Sequence, residues 1–237
     1  MLPTQPVGFP DPTTALDDPD GLLAVGGALT PEWLVEAYAR GIFPWFDRDD
    51  GPIHWWSPIE RAVITPGEMK VSRSLAKRIR NADFIVTFDQ DFSRVIAACA
   101  ETRATSVGTW ITPNMQAAYQ ELYRCGLAHS VEVWLGEKLI GGLYGISLGQ
   151  MFFGESMFSL QSDASKVAFF HLNQRLAQWK FTLLDCQMMN PHLATLGVRP
   201  MHRTAFLQAL EQNDFGSTRL GSWESAQTPN LSKVKSR

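Results

Sequence analysis

Residues 131–147 read Val-Glu-Val-Trp-Leu-Gly-Glu-Lys-Leu-Ile-Gly-Gly-Leu-Tyr-Gly-Ile-Ser. Val131, Val133 and Leu135 alternate with Glu132 and Trp134, and a second apolar run follows Gly136-Glu137. Two β-prone runs joined at a Gly-containing pair predict an antiparallel hairpin. Outward from it, helix and strand patterns interleave. Strands are expected over 84–88, 129–136, 138–147, 150–154 and 181–187, and helices over 72–81, 89–102, 112–126, 163–179 and 201–212. The expected fold class is α/β (α+β), a central mixed sheet flanked by helices.

Upstream the pattern changes. Residues 1–20 are rich in Pro, Asp and Thr and read as loop. Thr30-Pro31 marks a helix start, with Thr as N-cap and Pro in the first turn, and Gly41 marks its end. Residues 42–58 are too aromatic and too Pro-broken to read as a regular element. A boundary near Thr65-Pro66-Gly67 separates an aromatic-rich N-terminal domain, 1–65, from a larger one, 66–237, whose tail from 228 is expected to be disordered.

Composition excludes several classes. Apolar content of 45% with 19% charged residues is that of a soluble globular protein. Cys99, Cys125 and Cys186 form neither a disulfide framework nor a metal spacing, and fit a reducing compartment. There is no apolar run of membrane-spanning length and no secretory pattern at Met1-Leu-Pro-Thr, so a cytoplasmic protein is expected. The net charge of −3 argues against nucleic acid only on average. Lys70, Arg73, Lys77, Arg78 and Arg80 concentrate positive charge, most of it at helical spacing. That stripe is either a solvated helix face or a phosphate track.

Three constellations carry the candidate chemistry. Asp185 and Gln187, in Leu183-Leu-Asp-Cys-Gln187, are two positions apart and would share one face of an extended strand. Burying a carboxylate there costs several kcal/mol unless it is partnered. Glu155, in Gly154-Glu-Ser-Met-Phe-Ser159, is expected where a strand gives way to a loop, beside apolar neighbours, and is suited to a cationic amine. Trp45, with Phe43, Phe46, Trp55 and Trp56, belongs to an aromatic cluster on Pro-broken backbone, where a ring can stack on a base, and Trp110, just ahead of the Thr112-Pro113 helix start, is a second stacking candidate. His192 reads as structural and Cys186 as a buried hydrophobe. No nucleophile elbow, phosphate loop, dinucleotide fingerprint or metal-ligand spacing is present.

Taken in order, Gly21-Leu-Leu-Ala-Val-Gly-Gly, Arg40-Gly-Ile-Phe-Pro-Trp-Phe46, Trp55-Trp-Ser-Pro58, Gly108-Thr-Trp-Ile-Thr112, His129-Ser-Val-Glu-Val-Trp134, Gly141-Gly-Leu-Tyr-Gly145, Gly154-Glu-Ser-Met-Phe-Ser159 and Leu184-Asp-Cys-Gln187 resemble the bacterial leucyl/phenylalanyl-tRNA–protein transferases over about residues 15–210. The resemblance implies a small N-terminal domain and a GNAT-like, acetyltransferase-type C-terminal domain. It implies transfer of Leu or Phe, less well Met, from aminoacyl-tRNA to the α-amino group of proteins beginning with Arg or Lys, as a signal for N-degron proteolysis. No cofactor, no metal, no membrane and a monomeric state are expected. Asp185 and Gln187 would be the catalytic pair, and Trp45 and Trp110 would hold the 3′-terminal adenosine. Leu143, Phe152, Met157, Phe169, Leu172, Leu176 and Leu184 would form the side-chain pocket, with Tyr119 and Glu155 also on the substrate. Lys70, Arg73, Lys77, Arg78 and Arg80 would meet the tRNA.

The chemistry such a transferase needs is modest. An α-amine with a pKa near 7.7–8.0 becomes neutral at pH 7 for about 1 kcal/mol, so neither a strong base nor a metal is required. An amide oxygen is a weak base, so Gln187 is expected to aim the amine and Asp185 to support it electrostatically. The nearest rival is an acyl-CoA acetyltransferase. Ser159-Leu-Gln-Ser-Asp-Ala-Ser lacks the glycines of a pyrophosphate loop, which argues against it. A non-catalytic reader of basic N-termini would leave the aromatic clusters and the basic stripe without a role.

Overall fold

The structure, a computed structural model, describes residues 1–81, 83–104 and 109–224. Gly108 of the Gly108-Thr-Trp motif and the tail from 228 lie outside the described residues. In chain order the elements are β1 (Leu22–Val25), α1 (Pro31–Ala39), β2 (Phe43–Pro44), β3 (His54–Trp56), β4 (Glu60–Ile64), α2 (Arg73–Asn81), β5 (Phe84–Phe88), α3 (Phe92–Ala104), α4 (Pro113–Arg124), β6 (Ala128–Leu135), β7 (Lys138–Leu148), β8 (Met151–Ser159), α5 (Ala164–Gln178), β9 (Leu183–Asp185), α6 (Pro191–Thr195), β10 (Arg199–His202) and α7 (Arg203–Glu211). Seven strands build one sheet in the order β10-β4-β9-β8-β7-β6-β5, and β1-β3-β2 build a small one.

The hairpin that organises the large sheet is β6–β7. Leu135 pairs with Lys138 across Gly136-Glu137, and Gly136 takes the positive φ of 58° that such a turn requires. β8 returns antiparallel after the Gly149-Gln150 turn. The chain then crosses over through α5 and enters β9 parallel to β8, as a parallel pair requires. Two apolar cores lie on opposite faces of the sheet. Tyr144, Ile146 and Phe153 pack in one with residues of α1, α3 and α4, while Val131, Leu143 and Phe152 pack in the other with residues of α2 and α5. Helix α5 approaches the sheet so closely that a Cβ on Gly141 would lie 2.5 Å from that of Ala164.

The stretch 42–58, expected to be irregular, contains β2 and β3. Phe43 pairs with Trp56 and Pro44 with Trp55, and Pro44 is tolerated because β2 is an edge strand. Their rings pack inward: Trp33 stacks on Trp55 at 6.1 Å, and Phe9 meets both edge-on. The same core cluster continues into Phe92, Val95 and Tyr144, so N-terminal aromatics and the large sheet share one interior. β4 and β10 are two further strands without a clear sequence signal, and β4, N-terminal to residue 65, belongs to the large sheet. Helix α3 begins at Phe92 rather than 89. Asp89 is left-handed at φ 56°, and its carboxylate accepts from the backbone N–H groups of Ser130 and Trp223.

Candidate active site

The site exists because two neighbouring strands part. β8 and β9 pair only through Met151–Leu183, Phe152–Leu184 and Phe153–Asp185. β9 then stops, while β8 continues to Ser159 with β7 on one side and, among the described residues, no strand on the other. The expectation that a loop begins at Gly154 is therefore corrected: Gly154–Ser159 is strand. The gap opens into a cavity of about 1170 Å³. Gly154, Glu155, Ser156 and Met157 line it from β8, Leu143 and Tyr144 from β7, and Phe169 and Leu172 from α5. Leu184, Cys186, Gln187, Met188 and Met189 close the β9 side.

Glu155 is aimed by a bulge. Tyr144 pairs with Ser156 and Gly145 with Gly154, so Glu155 is the extra residue between them, a device that redirects a side chain. Its carboxyl is buried under three donors. The Tyr38 hydroxyl from α1 lies 2.7 Å from Oε1, Gln187 Nε2 2.8 Å from Oε1, and the Tyr119 hydroxyl from α4 2.9 Å from Oε2. Burial pushes the Glu155 carboxyl up to about 7 against the opposing pull of those hydrogen bonds. Burial, followed by the neighbouring Glu155, also raises the Tyr38, Tyr119 and Tyr144 hydroxyls far above their ordinary range.

Asp185 is held quite differently. It is wholly buried and ion-paired with the buried Arg61 of β4, which donates from both Nε and Nη2. Arg61 Nη1 also donates to the Gly41 carbonyl at 2.6 Å, and its guanidinium lies 4.4 Å from the Phe206 ring centroid. The other bond to Asp185 Oδ1 comes from the backbone N–H of Gln187 at 2.8 Å.

The shared strand face expected for Asp185 and Gln187 is corrected by this geometry. β9 ends at Asp185, and Gln187 is left-handed at φ 62°, so strand alternation does not apply. Gln187 lines the cavity; Asp185 lies behind it, among partners of its own. Cys186 also borders the cavity, with its thiol raised by burial and by Asp185.

Trp45, 41% exposed, and the half-buried Trp110 line the cavity. Trp45 is held edge-on to Trp56 at 5.6 Å, and Arg103 lies 5.9 Å from the Trp110 ring centroid. Of the expected apolar residues, Leu143, Met157, Phe169, Leu172 and Leu184 line the cavity. Phe152 and Leu176 are buried without lining it. Tyr119 meets Glu155 rather than the cavity. His192, read as structural, borders the cavity, and burial and Lys166 lower its pKa.

The basic residues are mixed. Arg73, Lys77 and Arg80 are exposed on α2, opposite the buried Leu75, Ala76 and Ile79. Lys70 is exposed but precedes the helix. Arg78 is half-buried, donates to the Ser162 carbonyl at 3.2 Å and lies over Phe84. No cluster of metal-ligating residues and no helix long and apolar enough to cross a membrane occurs among the described residues.

Sequence reasoning missed Arg61, Tyr38 and Arg103. Arg61 carried a usable signal: a lone cation in Glu60-Arg-Ala-Val-Ile64 is the counterpart of a lone acid in an apolar strand. Tyr38 carried none, because a buried Tyr on a helix is ordinary core.

The family model described as leucyl/phenylalanyl-tRNA protein transferase matches residues 63–211, and the model of that family's N-terminal domain matches 27–59. A leucyl/phenylalanyl-tRNA–protein transferase of Chromohalobacter salexigens is 59% identical over 89% of this chain and 82% of its own length. One from Shewanella halifaxensis is 51% identical over 93% of both. Among solved structures, a conserved protein of unknown function from Bacteroides thetaiotaomicron aligns with a TM-score of 0.45 at 10% identity, over 70% of this chain and 62% of that one. At so low a score that likeness says nothing about activity. The fold is mixed α/β and the protein is an aminoacyltransferase. The chain belongs to the leucyl/phenylalanyl-tRNA–protein transferase family.

Proposed function

We propose that this enzyme transfers Leu or Phe, and Met less well, from aminoacyl-tRNA to the α-amino group of proteins beginning with Arg or Lys, marking them for N-degron proteolysis. It acts as a monomer in the cytoplasm, where its tRNA substrate is made. The observation that carries the reading is one continuous cavity with stacking aromatics, an apolar wall and an aimed amide. Trp45 and Trp110 stack on the terminal adenosine, worth about 1–3 kcal/mol per ring. Leu143, Met157, Phe169, Leu172 and Leu184 receive the donor side chain. Phe152 and Leu176 support that wall from behind. One methylene in such a pocket discriminates by only about 1–3 kcal/mol, so a broad preference is expected.

The acceptor nitrogen attacks the ester carbonyl carbon, the bond to the ribose oxygen breaks, and the amine's proton passes to that oxygen, by way of the adjacent ribose hydroxyl. Gln187 is a hydrogen-bond acceptor that aims the amine's lone pair. Asp185 acts through Gln187: with Arg61 it fixes the backbone that presents the amide. Holding amine and ester together supplies up to roughly 7–11 kcal/mol. The tRNA backbone tracks the solvent face of Arg73, Lys77 and Arg80 with Lys70 at its start, and Arg78 anchors that helix. The aromatic-rich N-terminal part, 1–65, contributes Trp45; its last strand, β4, joins the large sheet, so it packs on the GNAT-like part, 66–237, through one shared interior.

Incubation with labelled Phe-tRNA and a peptide beginning with Arg tests this reading. Label in the peptide is expected, and little should enter a peptide beginning with Ala. Equal labelling of both would refute the acceptor preference.

A further inference from the structure

Four oxygen atoms of three side chains behind the cavity make three contacts. Tyr38 and Tyr119 hydroxyls are 2.5 Å apart, Tyr38 lies 2.7 Å from Glu155 Oε1, and Tyr119 lies 2.9 Å from Glu155 Oε2. Each contact needs one proton. Two phenols bring two, because each carries a single O–H. With Glu155 ionised, one contact would set two oxygens against each other with no proton between them, in an interior that penalises such a pair. With Glu155 protonated, the count closes: carboxyl to one phenol, that phenol to the other, and the second phenol back to the free carboxyl oxygen.

We propose that Tyr38, Tyr119 and Glu155 form a closed proton-sharing ring that holds Glu155 as a neutral acid behind the Gln187 amide. Among the described residues, the titratable groups facing Glu155 are Tyr38 from α1, Tyr119 from α4, Tyr144 from β7 and Asp185 from β9, none of them a cation. Asp185 has its charge matched by Arg61, and Arg103 of α3 faces Tyr144 and Cys99. The raised Glu155 carboxyl, about 7, agrees with the proton count.

Two consequences follow for transfer, and they rest on the function proposed above. Glu155 Oε1 takes the Gln187 amide nitrogen, which leaves the amide oxygen as the end available to an amine. A neutral Glu155 also keeps an anion away from that amine. An ionised carboxylate there would hold the acceptor as ammonium, which has no lone pair to attack with. Tyr38, Tyr119 and Glu155 are thus positioning residues: they set the charge and direction of a group that meets substrate.

Infrared difference spectra and pH profiles test the ring. The parent should show a protonated-carboxyl band at about pH 6 that fades as pH rises through about 7 and that Glu155→Gln removes, with Glu132→Gln as control for the other raised buried carboxyl. The parent kcat should fall on the alkaline side. Glu155→Gln, whose amide can fill the carboxylic acid's place, should lack that fall, whereas Glu155→Ala should be slow at every pH. Tyr38→Phe and Tyr119→Phe should each lower kcat about tenfold with KM for tRNA nearly constant. No such band near pH 6, or the same alkaline fall in Glu155→Gln as in the parent, overturns the proposal. If Glu155→Gln does not fold, Tyr119→Phe must shift the band, and an unmoved band overturns it equally. The spectra need no substrate, so a failure of the ring and a failure of the transfer reading are separable.

Discussion

Asp185 and Glu155 are two buried carboxyls at the same parting of strands, and they meet opposite company. Asp185 has a guanidinium and a backbone N–H; Glu155 has two phenols and an amide. Neither environment is dry of hydrogen bonds, so burial alone does not distinguish them. The charge of the partner does. A cation balances a carboxylate, whereas neutral donors soften the penalty of burying one without removing it. One acid therefore serves as a charged strut and the other as a neutral hinge for the amide between them.

Removing the strut is the largest way to break that contrast. Arg61→Ala should leave Asp185 uncompensated and cost about 3–5 kcal/mol in urea unfolding, with much of the activity lost as Gln187 loses its seat. Asp185→Asn in the same background should recover part of the stability, because it removes the stranded charge. The next effect sharpens the contrast. Glu155 has a folded-state value raised from 4.5 to about 7, so the folded protein holds a proton that the unfolded chain has released. Its contribution is most favourable below about pH 4.5 and is lost as pH rises to about 7, by up to roughly 3 kcal/mol. Glu155→Gln should abolish that decline, seen as a flatter dependence of unfolding free energy on pH.

Smaller effects concern groups in contact with water. Trp45→Ala should weaken aminoacyl-tRNA binding by about 1–3 kcal/mol, read as KM, with kcat nearly constant. Replacing Arg73, Lys77 and Lys70 by Ala should change stability little, since these charges are solvated, but should lower the slope of log affinity against log salt by about 2. An unchanged slope would move the tRNA path off α2.

The sequence made the frame legible where periodicity and turn chemistry agree. Gly136-Glu137 fixed the β6–β7 hairpin, and Thr112-Pro113 marked α4, whose Thr112 hydroxyl caps the Met115 N–H at 3.3 Å. It concealed elements whose meaning is tertiary. β2 and β3 are short, and their Trp and Phe residues serve a core shared with distant helices, so no alternation shows. β10 reads Arg-Pro-Met-His and owes its state to β4. In the candidate site, Asp185 and Gln187 stood out as polar residues ending an apolar run. That Asp185 faces Arg61, 124 positions away, and that Glu155 is a bulge residue are facts of register. No local pattern encodes them.

In the proposed mechanism Gln187 aims the attacking amine and other side chains act through it. Single-turnover transfer of Phe from Phe-tRNA to an Arg-starting peptide, compared between the parent and Gln187→Ala at saturating substrates, tests it directly. A loss of about 100-fold in rate is expected, with KM for tRNA little changed. A Gln187→Ala rate equal to the parent's would contradict it.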